Sequence, residues 1–356
     1  MATPDVPEDR TVLLKKCSEL KEALRFEKSR LADTHLSEAA ADVEEIVMDC
    51  PLVAMKQRKL LKGHRRKVLH FDWCPDSRHL LSGAQDSFAY VWDGFMSQKK
   101  FQLQLQEDTW VTTCAYAPSE TVIALGGMHS KCVVYRVDSQ DTIKATQTRH
   151  TVATHNGFIT SCAFLKSDQQ LLTASSDKTC ALWDVERLEP VLVFKGHTKN
   201  VLELDTCPKD TFNLFASASC DHTARIWDIR TGKCVVKFDG HDSDVNAVRF
   251  YPTSESIGTA SNDGTCRLFD LRADQEISIY TTASILFGAS SLDFSKSGRV
   301  LFAGYNDHTL RAWDTLKETQ LAVWIGHQDR LSHVQVSPDG MALCTSSWDG
   351  TLAIWA

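Results

Sequence analysis

The sequence has no two of its twelve cysteines spaced C-x-x-C, no apolar run long enough to cross a bilayer, and no G-x-x-x-x-G-K-[ST] phosphate loop. Each absence removes a class of function. Unclustered thiols read as small buried hydrophobes in a reducing compartment, against a disulfide framework or a zinc site. The opening Met1-Ala2-Thr3-Pro4 leads into charged residues, without an apolar secretory core or a myristoylation glycine, and Ala353-Ile354-Trp355-Ala356 is no prenylation box. The expectation is a cytoplasmic protein that meets the inner face of the plasma membrane only through partners, with no direct insertion. Gly126-Gly127 is an isolated pair and cradles no phosphate, so no cofactor is expected. Positive charge is the minority sign: 39 Lys and Arg face 46 Asp and Glu, a net charge of −7 that draws in neither nucleic acid nor an anionic membrane. Basic residues gather only between Lys56 and Lys67, with Arg58, Lys59, Lys62, Arg65 and Arg66. Lysines along an edge strand discourage unwanted pairing, and that reading is preferred to an anion site.

What the sequence does have is a repeat. An aromatic residue followed by Asp recurs as Trp92-Asp93, Trp183-Asp184, Trp227-Asp228, Phe269-Asp270 and Trp313-Asp314, with Tyr135 and Trp355 in the same phase. The seven aromatic positions are separated by 43, 48, 44, 42, 44 and 42 residues. Upstream stands Gly63-His64, His155, Gly196-His197, Gly240-His241 or Gly326-His327, and only the second and sixth units lack the histidine. Each unit reads as four short strands; in the fourth, Val201 to Asp205, Leu214 to Ser219, Ala224 to Asp228 and Cys234 to Phe238 are separated by polar turns. The fold class is therefore all-β, a seven-bladed WD-repeat β-propeller over residues 51–356, since an open sheet of this length would leave edges to aggregate. The chain stops at the third strand of the seventh unit. The missing strand is supplied by Lys56 to Lys62, which occupies the place before a Gly-His that a fourth strand takes elsewhere.

A catalytic triad is needed once, whereas a set of His, Ser, Asp and aromatic residues recurs in several blades. The reading is structural: Asp orients His, His meets a hydroxyl, and the hydroxyl meets the Trp indole. Its members are His64, Asp86 and Trp92; His155, Asp177 and Trp183; His197, Asp221 and Trp227, with Ser217 or Ser219; His241 and Asp263; and His327, Asp349 and Trp355. Catalytic and metal roles are expected for none of them, because a propeller enzyme needs a unique polar cluster at the central channel and the sequence shows only repeated ones.

Residues 1–50 differ in character. From Glu8 to Leu36 there is no Gly or Pro, and Leu13, Cys17, Leu20, Leu24 and Leu31 fit the apolar seam of a heptad, interrupted by Glu27 and Thr34. A second short helix is plausible from Ser37 to Met48. A lone amphipathic helix is marginal in water, so the leucine stripe must find a partner: a helix of another protein is preferred to packing on its own propeller or a self-paired coiled coil.

A leucine-striped helix joined to seven such repeats resembles the beta subunit of heterotrimeric G proteins, from about Lys15 to Ala356. Thr265-Cys266-Arg267-Leu268-Phe269-Asp270-Leu271-Arg272-Ala273-Asp274-Gln275-Glu276 and Cys114-Ala115-Tyr116-Ala117-Pro118-Ser119 carry the resemblance. Phe287-Gly288-Ala289-Ser290-Ser291 and Leu301-Phe302-Ala303-Gly304-Tyr305-Asn306-Asp307 are similar to the divergent fifth class, which pairs with a gamma-like domain inside certain RGS proteins. The resemblance implies a non-catalytic subunit in obligate complex with such an RGS protein. Its helix would coil with the gamma-like domain, and a top face at Lys67, Lys99, Trp110, Met128, Asp244 and Trp348 would meet G alpha or effectors. Arg65, Thr112, Asn200 and Asn262 replace a leucine, a methionine and two aspartates of conventional subunits on that face, and Phe88, Tyr90 and Asn156 differ as well. The alternatives are a conventional beta-gamma subunit binding GDP-bound G alpha and a generic WD-repeat scaffold.

Overall fold

The computed structural model describes residues 55–105, 109–137, 149–209 and 213–356. The helical stripe of Leu13, Cys17, Leu20, Leu24 and Leu31 lies outside them. Within them the chain forms seven four-stranded antiparallel sheets. Blades 1 to 6 are built from consecutive strands, their first strands being Val68–Trp73, Val111–Tyr116, Ile159–Phe164, Val201–Thr206, Val245–Phe250 and Ala289–Phe294. Blade 7 combines three strands from Leu331 to Trp355 with Gln57–Lys62 as its outermost strand.

The closing strand runs antiparallel to Thr351–Trp355, with Leu61 opposite Leu352 and Leu60 opposite Ala353. Arg58 Nε donates to the Ala356 carbonyl at 3.0 Å, and the backbones of Lys56 and Ala356 exchange two further bonds. Leu61 is fully buried with Val68, Trp92 and Leu352. Leu60 is half-buried against the core of blade 7, while Gln57, Arg58, Lys59 and Lys62 are exposed, three of them basic, which suits an edge.

Burial falls from the middle of each blade to its rim, and that gradient explains the residue types. In blade 6 the third strand Thr309–Asp314 is buried throughout, whereas outermost strands such as Glu189–Lys195 are mostly exposed. The core is not central. It lies between sheets: Leu81, Val91 and Leu103 of blade 1 pack with Cys114, Ile123 and Val133 of blade 2, and Ala218 and Ile226 of blade 4 pack with Val248 and Ile257 of blade 5. The first strands pack on one another in sequence, from blade 1 through blade 7 and back to blade 1, and so line the channel.

The turn between second and third strands holds one residue at positive φ in every blade: Ser87, Ser130, Lys178, His222, Gly264, His308 and Gly350. Five of these turns are of the form Asp-x-Thr, in which the Asp carboxylate accepts from the Thr amide and hydroxyl, as Asp221 does from Thr223 at 3.2 and 2.6 Å. That local bond pins the tight turn.

All ten described cysteines are free thiols. Eight are buried, Cys220 is half-buried and Cys234 is exposed on the rim, so burial is not uniform as the composition suggested. Cys17 and Cys50 lie outside the described residues.

Candidate functional site

Five blades carry a hydrogen-bonded chain that runs from a turn carboxylate inward. In blade 4, Asp221 Oδ2 lies 2.9 Å from His197 Nδ1, His197 Nε2 lies 2.7 Å from Ser217 Oγ, and Trp227 Nε1 donates to the same hydroxyl at 2.8 Å. The carboxylate fixes the proton on Nδ1, so Nε2 accepts from the hydroxyl. Ser217 is the member of the chain. Ser219 instead donates to the Asn200 carbonyl and accepts from the Asp221 amide. His64, Asp86, Ser82 and Trp92 repeat the arrangement in blade 1, His155, Asp177, Thr173 and Trp183 in blade 3, and His327, Asp349, Thr345 and Trp355 in blade 7. Blade 5 stops short: His241 joins Asp263 at 2.8 Å and Thr259 at 2.7 Å, but Phe269 replaces the indole. Burial pushes the carboxyls of Asp221, Asp263 and Asp349 upward, yet bonds from the imidazole and the following threonine hold all three well below the usual carboxylate range. In blade 6, which lacks the histidine upstream of its first strand, Arg311 Nη2 pairs with Asp307 at 2.8 Å.

A second set stitches blade to blade. The third residue of a first strand accepts the amide of the fourth residue in the next: Thr113 from Cys162, Glu203 from Val248, and Ser291 from Val334. The fifth residue likewise accepts the amide of the sixth: Asp72 from Tyr116, Asp205 from Phe250, and Asp293 from Val336, at 2.7, 2.7 and 2.6 Å. At the closure Gln335 does this work, accepting from the Trp73 amide and donating to Asp72 at 3.0 Å. Neighbouring sheets are thus joined by side chains that satisfy inner-strand amides.

These two positions also build something no blade repeats. Arg249 Nη2 lies 2.9 Å from Glu203 Oε1 and 2.8 Å from His333 Nε2, and the His333 ring packs at a tilt against His70 with centroids 4.2 Å apart. The expectation of repeated polar groups only is corrected here: the channel has a unique cluster. Its members come from blades 1, 4, 5 and 7 and are up to 263 positions apart, counting from His70 to His333, which is why the repeat gives no sign of it. Burial pushes the Asp293 carboxyl up to about 6 despite the Arg249 guanidinium, and raises Glu203 and Asp205 as well.

Of the residues assigned to a top face, five stand at one end of the ring. Lys67, Trp110 and Asp244 immediately precede the first strands of blades 1, 2 and 5, and Met128 and Trp348 immediately follow second strands. The Trp110 carbonyl accepts from the Met128 amide, which sets these two exposed side chains together at 37% and 44% accessibility. Trp348 is half-buried, because the Lys67 ammonium sits 3.7 Å over its ring and Arg330 covers it at 5.0 Å. Lys99 is placed elsewhere: it lies on the outermost strand of blade 1, donating to the Gly63 carbonyl at 3.0 Å with its ammonium over Tyr90. Thr112 donates to the Gly126 carbonyl and Asn246 donates to Asn262, so these two substitutes are tied into the scaffold. The residues that sequence reasoning missed are Leu286 and Phe287, 87% and 53% exposed in the loop that enters blade 6 beside Gly264. The apolar run Ile285-Leu286-Phe287 between two strands was the available signal.

A closed ring of seven sheets with His-Asp-hydroxyl-indole chains defines a WD-repeat propeller, a scaffold whose loops and rim meet other molecules. The model for the G protein beta WD-40 repeat protein matches residues 9–356, and the chain belongs to that family, whose propeller is a non-catalytic signalling scaffold. It is 48% identical over 326 residues to guanine nucleotide-binding protein subunit beta-5b of Danio rerio, covering 92% of this chain and 81% of that one. It is 45% identical over 344 residues to subunit beta-2 of Caenorhabditis elegans, covering 97% and 91%. No helix among the described residues is long and apolar enough to cross a membrane.

Proposed function

We propose that this G protein beta subunit works in obligate complex with the gamma-like domain of an RGS protein, and so regulates G alpha signalling through GTP hydrolysis that the partner accelerates. The supporting observation is the 48% identity to a subunit designated beta-5b, which agrees with the resemblance of Phe287 to Ser291 and Leu301 to Asp307 to the fifth class. Residues 1–50 supply the helix whose Leu13, Cys17, Leu20, Leu24 and Leu31 pair with the gamma-like domain, and residues 51–356 supply the propeller. Each partner covers apolar surface of the other, so each stabilises the other by mass action. The complex resides in the cytoplasm, held at the inner plasma membrane by partners.

The loop end of the ring serves as the protein-docking face. Exposed Trp110, Met128, Leu286 and Phe287, interspersed with Lys67 and Asp244, have the aromatic and charged make-up of interface hot spots. Copurification tests the proposal. A tagged chain expressed in cells should recover an RGS protein with a gamma-like domain and should be depleted without it. Recovery of ordinary gamma subunits and no RGS protein would establish the conventional beta-gamma reading instead.

A further inference from the structure

The rim of the ring carries its basic residues unevenly. Residues 51–71 and 94–105 hold nine of the 39 Lys and Arg and no Asp or Glu, although the net charge of the chain is −7. The fold brings the two stretches onto neighbouring blades. The first contains the outermost strand of blade 7, Gln57–Lys62, and the second contains the outermost strand of blade 1, Gln98–Gln104. The Lys99 ammonium donates to the Gly63 carbonyl at 3.0 Å and so joins one stretch to the other. Lys56, Arg58, Lys59, Lys62 and Lys100 are exposed along this edge. Protection from unwanted pairing does not account for the concentration, because the outermost strands of blades 5 and 6 are edges too and hold no Lys or Arg.

The turn between the third and fourth strands of blade 1 adds an apolar element to the same edge. Asp93 Oδ1 accepts the amides of Phe95 and Met96, both at 3.0 Å, and Arg78 Nη2 holds the other carboxylate oxygen at 2.7 Å. The turn is therefore fixed, yet its two large side chains project into solvent, 66% and 64% exposed. A Cβ at Gly94 would lie 3.4 Å from Ile354 Cδ1, and Ile354 pairs with Lys59 in the closing ladder. The apolar turn thus stands beside the basic strand of blade 7 and leads directly into that of blade 1.

We infer that this edge of blades 7 and 1 lies against an anionic phospholipid bilayer, its basic side chains meeting the headgroups while Phe95 and Met96 enter the interface. Each Lys or Arg brought near an anionic leaflet adds attraction, and the field fades within about 10 Å, so acidic residues on the far rim count for little. Apolar side chains exposed beside such an array are the make-up of interfacial attachment. They favour a bilayer over a nucleic acid, as does the one ring within the two basic strands: Phe101 is half-buried against the core and offers no face for a base to stack on. Contact along the rim leaves both ends of the ring open. It orients a complex that partners hold at the membrane, whichever partner that is.

Cosedimentation with vesicles tests the inference. The full chain, purified with whatever partner it requires and with no lipid on that partner, is spun with vesicles of phosphatidylcholine alone or with about one third phosphatidylserine. It should pellet with the anionic vesicles and not with the neutral ones, and added salt should release it. Lys59→Glu, Lys62→Glu and Lys100→Glu combined should weaken binding at least about a hundredfold, at about fivefold for each charge lost. Phe95→Ser with Met96→Ser should weaken it about tenfold. Lys195→Glu with Lys233→Glu, on the outermost strands of blades 3 and 4, should leave it unchanged. If the triple variant does not fold, the lipid and salt dependence of the wild type and the Phe95→Ser, Met96→Ser variant decide. No pelleting, equal pelleting with both vesicles, full binding by the triple variant, or an equal loss in the blade 3 and 4 variant overturns the inference. Single-stranded RNA bound more tightly than the vesicles, and lost with the same three lysines, would make the edge a nucleic-acid surface and overturn it as well.

Discussion

Blades 3 and 5 allow the same isosteric substitution to remove different numbers of hydrogen bonds. Thr173 Oγ1 receives the Trp183 indole at 2.8 Å and meets His155 Nε2 at 2.7 Å. Thr259 Oγ1 meets His241 Nε2 at 2.7 Å, and Phe269 offers it no donor. Both threonines are fully buried. Thr→Val keeps volume and deletes the hydroxyl, so Thr173→Val strands two buried polar groups and Thr259→Val one. At about 1–3 kcal/mol for each group left unsatisfied, the first should cost about 2–6 kcal/mol and the second about 1–3. Thr345→Val, whose hydroxyl meets His327 at 2.8 Å and Trp355 at 2.9 Å, should fall with the first. Urea unfolding of the three variants, compared by midpoint at constant slope, measures the difference. Equal losses in Thr173→Val and Thr259→Val would refute the claim that indole and imidazole both depend on the shared hydroxyl.

Three other outcomes follow from the geometry. Leu61→Ala in the closing strand should cost about 2–5 kcal/mol in thermal or urea unfolding, and removal of residues 56–62 should abolish the folded ring, whereas removal of residues 1–50 should leave its near-UV circular dichroism in place. Asp293 titrates near 6 when folded, above its ordinary value of 3.8, so its contribution is fully present below pH 4 and is lost as pH rises toward 6. The stability of wild type relative to Asp293→Asn should therefore fall across that window by up to about 3 kcal/mol, and a flat difference would contradict it. Trp110→Ala and Phe287→Ser should lower capture of partner proteins at least about tenfold with no shift in the urea midpoint, because both side chains are exposed.

The blades, their strands and the closing exchange were legible because the same local bonds recur every 42 to 48 residues. Val201 to Asp205 reads as a strand, and it is one from Val201 to Thr206. Choosing Ser217 over Ser219 was beyond the sequence: both stand on one face of the same strand, four and two positions before Asp221, and only their place along it decides which hydroxyl meets the indole. Lys99 was assigned to a face on the strength of resemblance, and the strand it occupies puts it on the rim. Trp348 reads as exposed until Lys67 and Arg330, neither of them near it in sequence, are seen over its ring. The channel cluster was least legible of all. Its residues share only the third or the fifth position of their first strands, and chemistry scattered over those positions becomes a cluster only when the ring brings the repeats face to face.

The side-chain stitching between first strands carries a consequence for how such a ring can diverge. Each of these bonds needs only one side-chain oxygen to reach one amide, so different chemistries serve: a hydroxyl at Thr113 and Ser291, a carboxylate at Asp72, Glu203 and Asp205, an amide at Gln335. Each joint can therefore exchange chemistry independently of its neighbours without unpicking a ladder. Seven near-copies can keep one outline while the lining of their common bore is rewritten residue by residue.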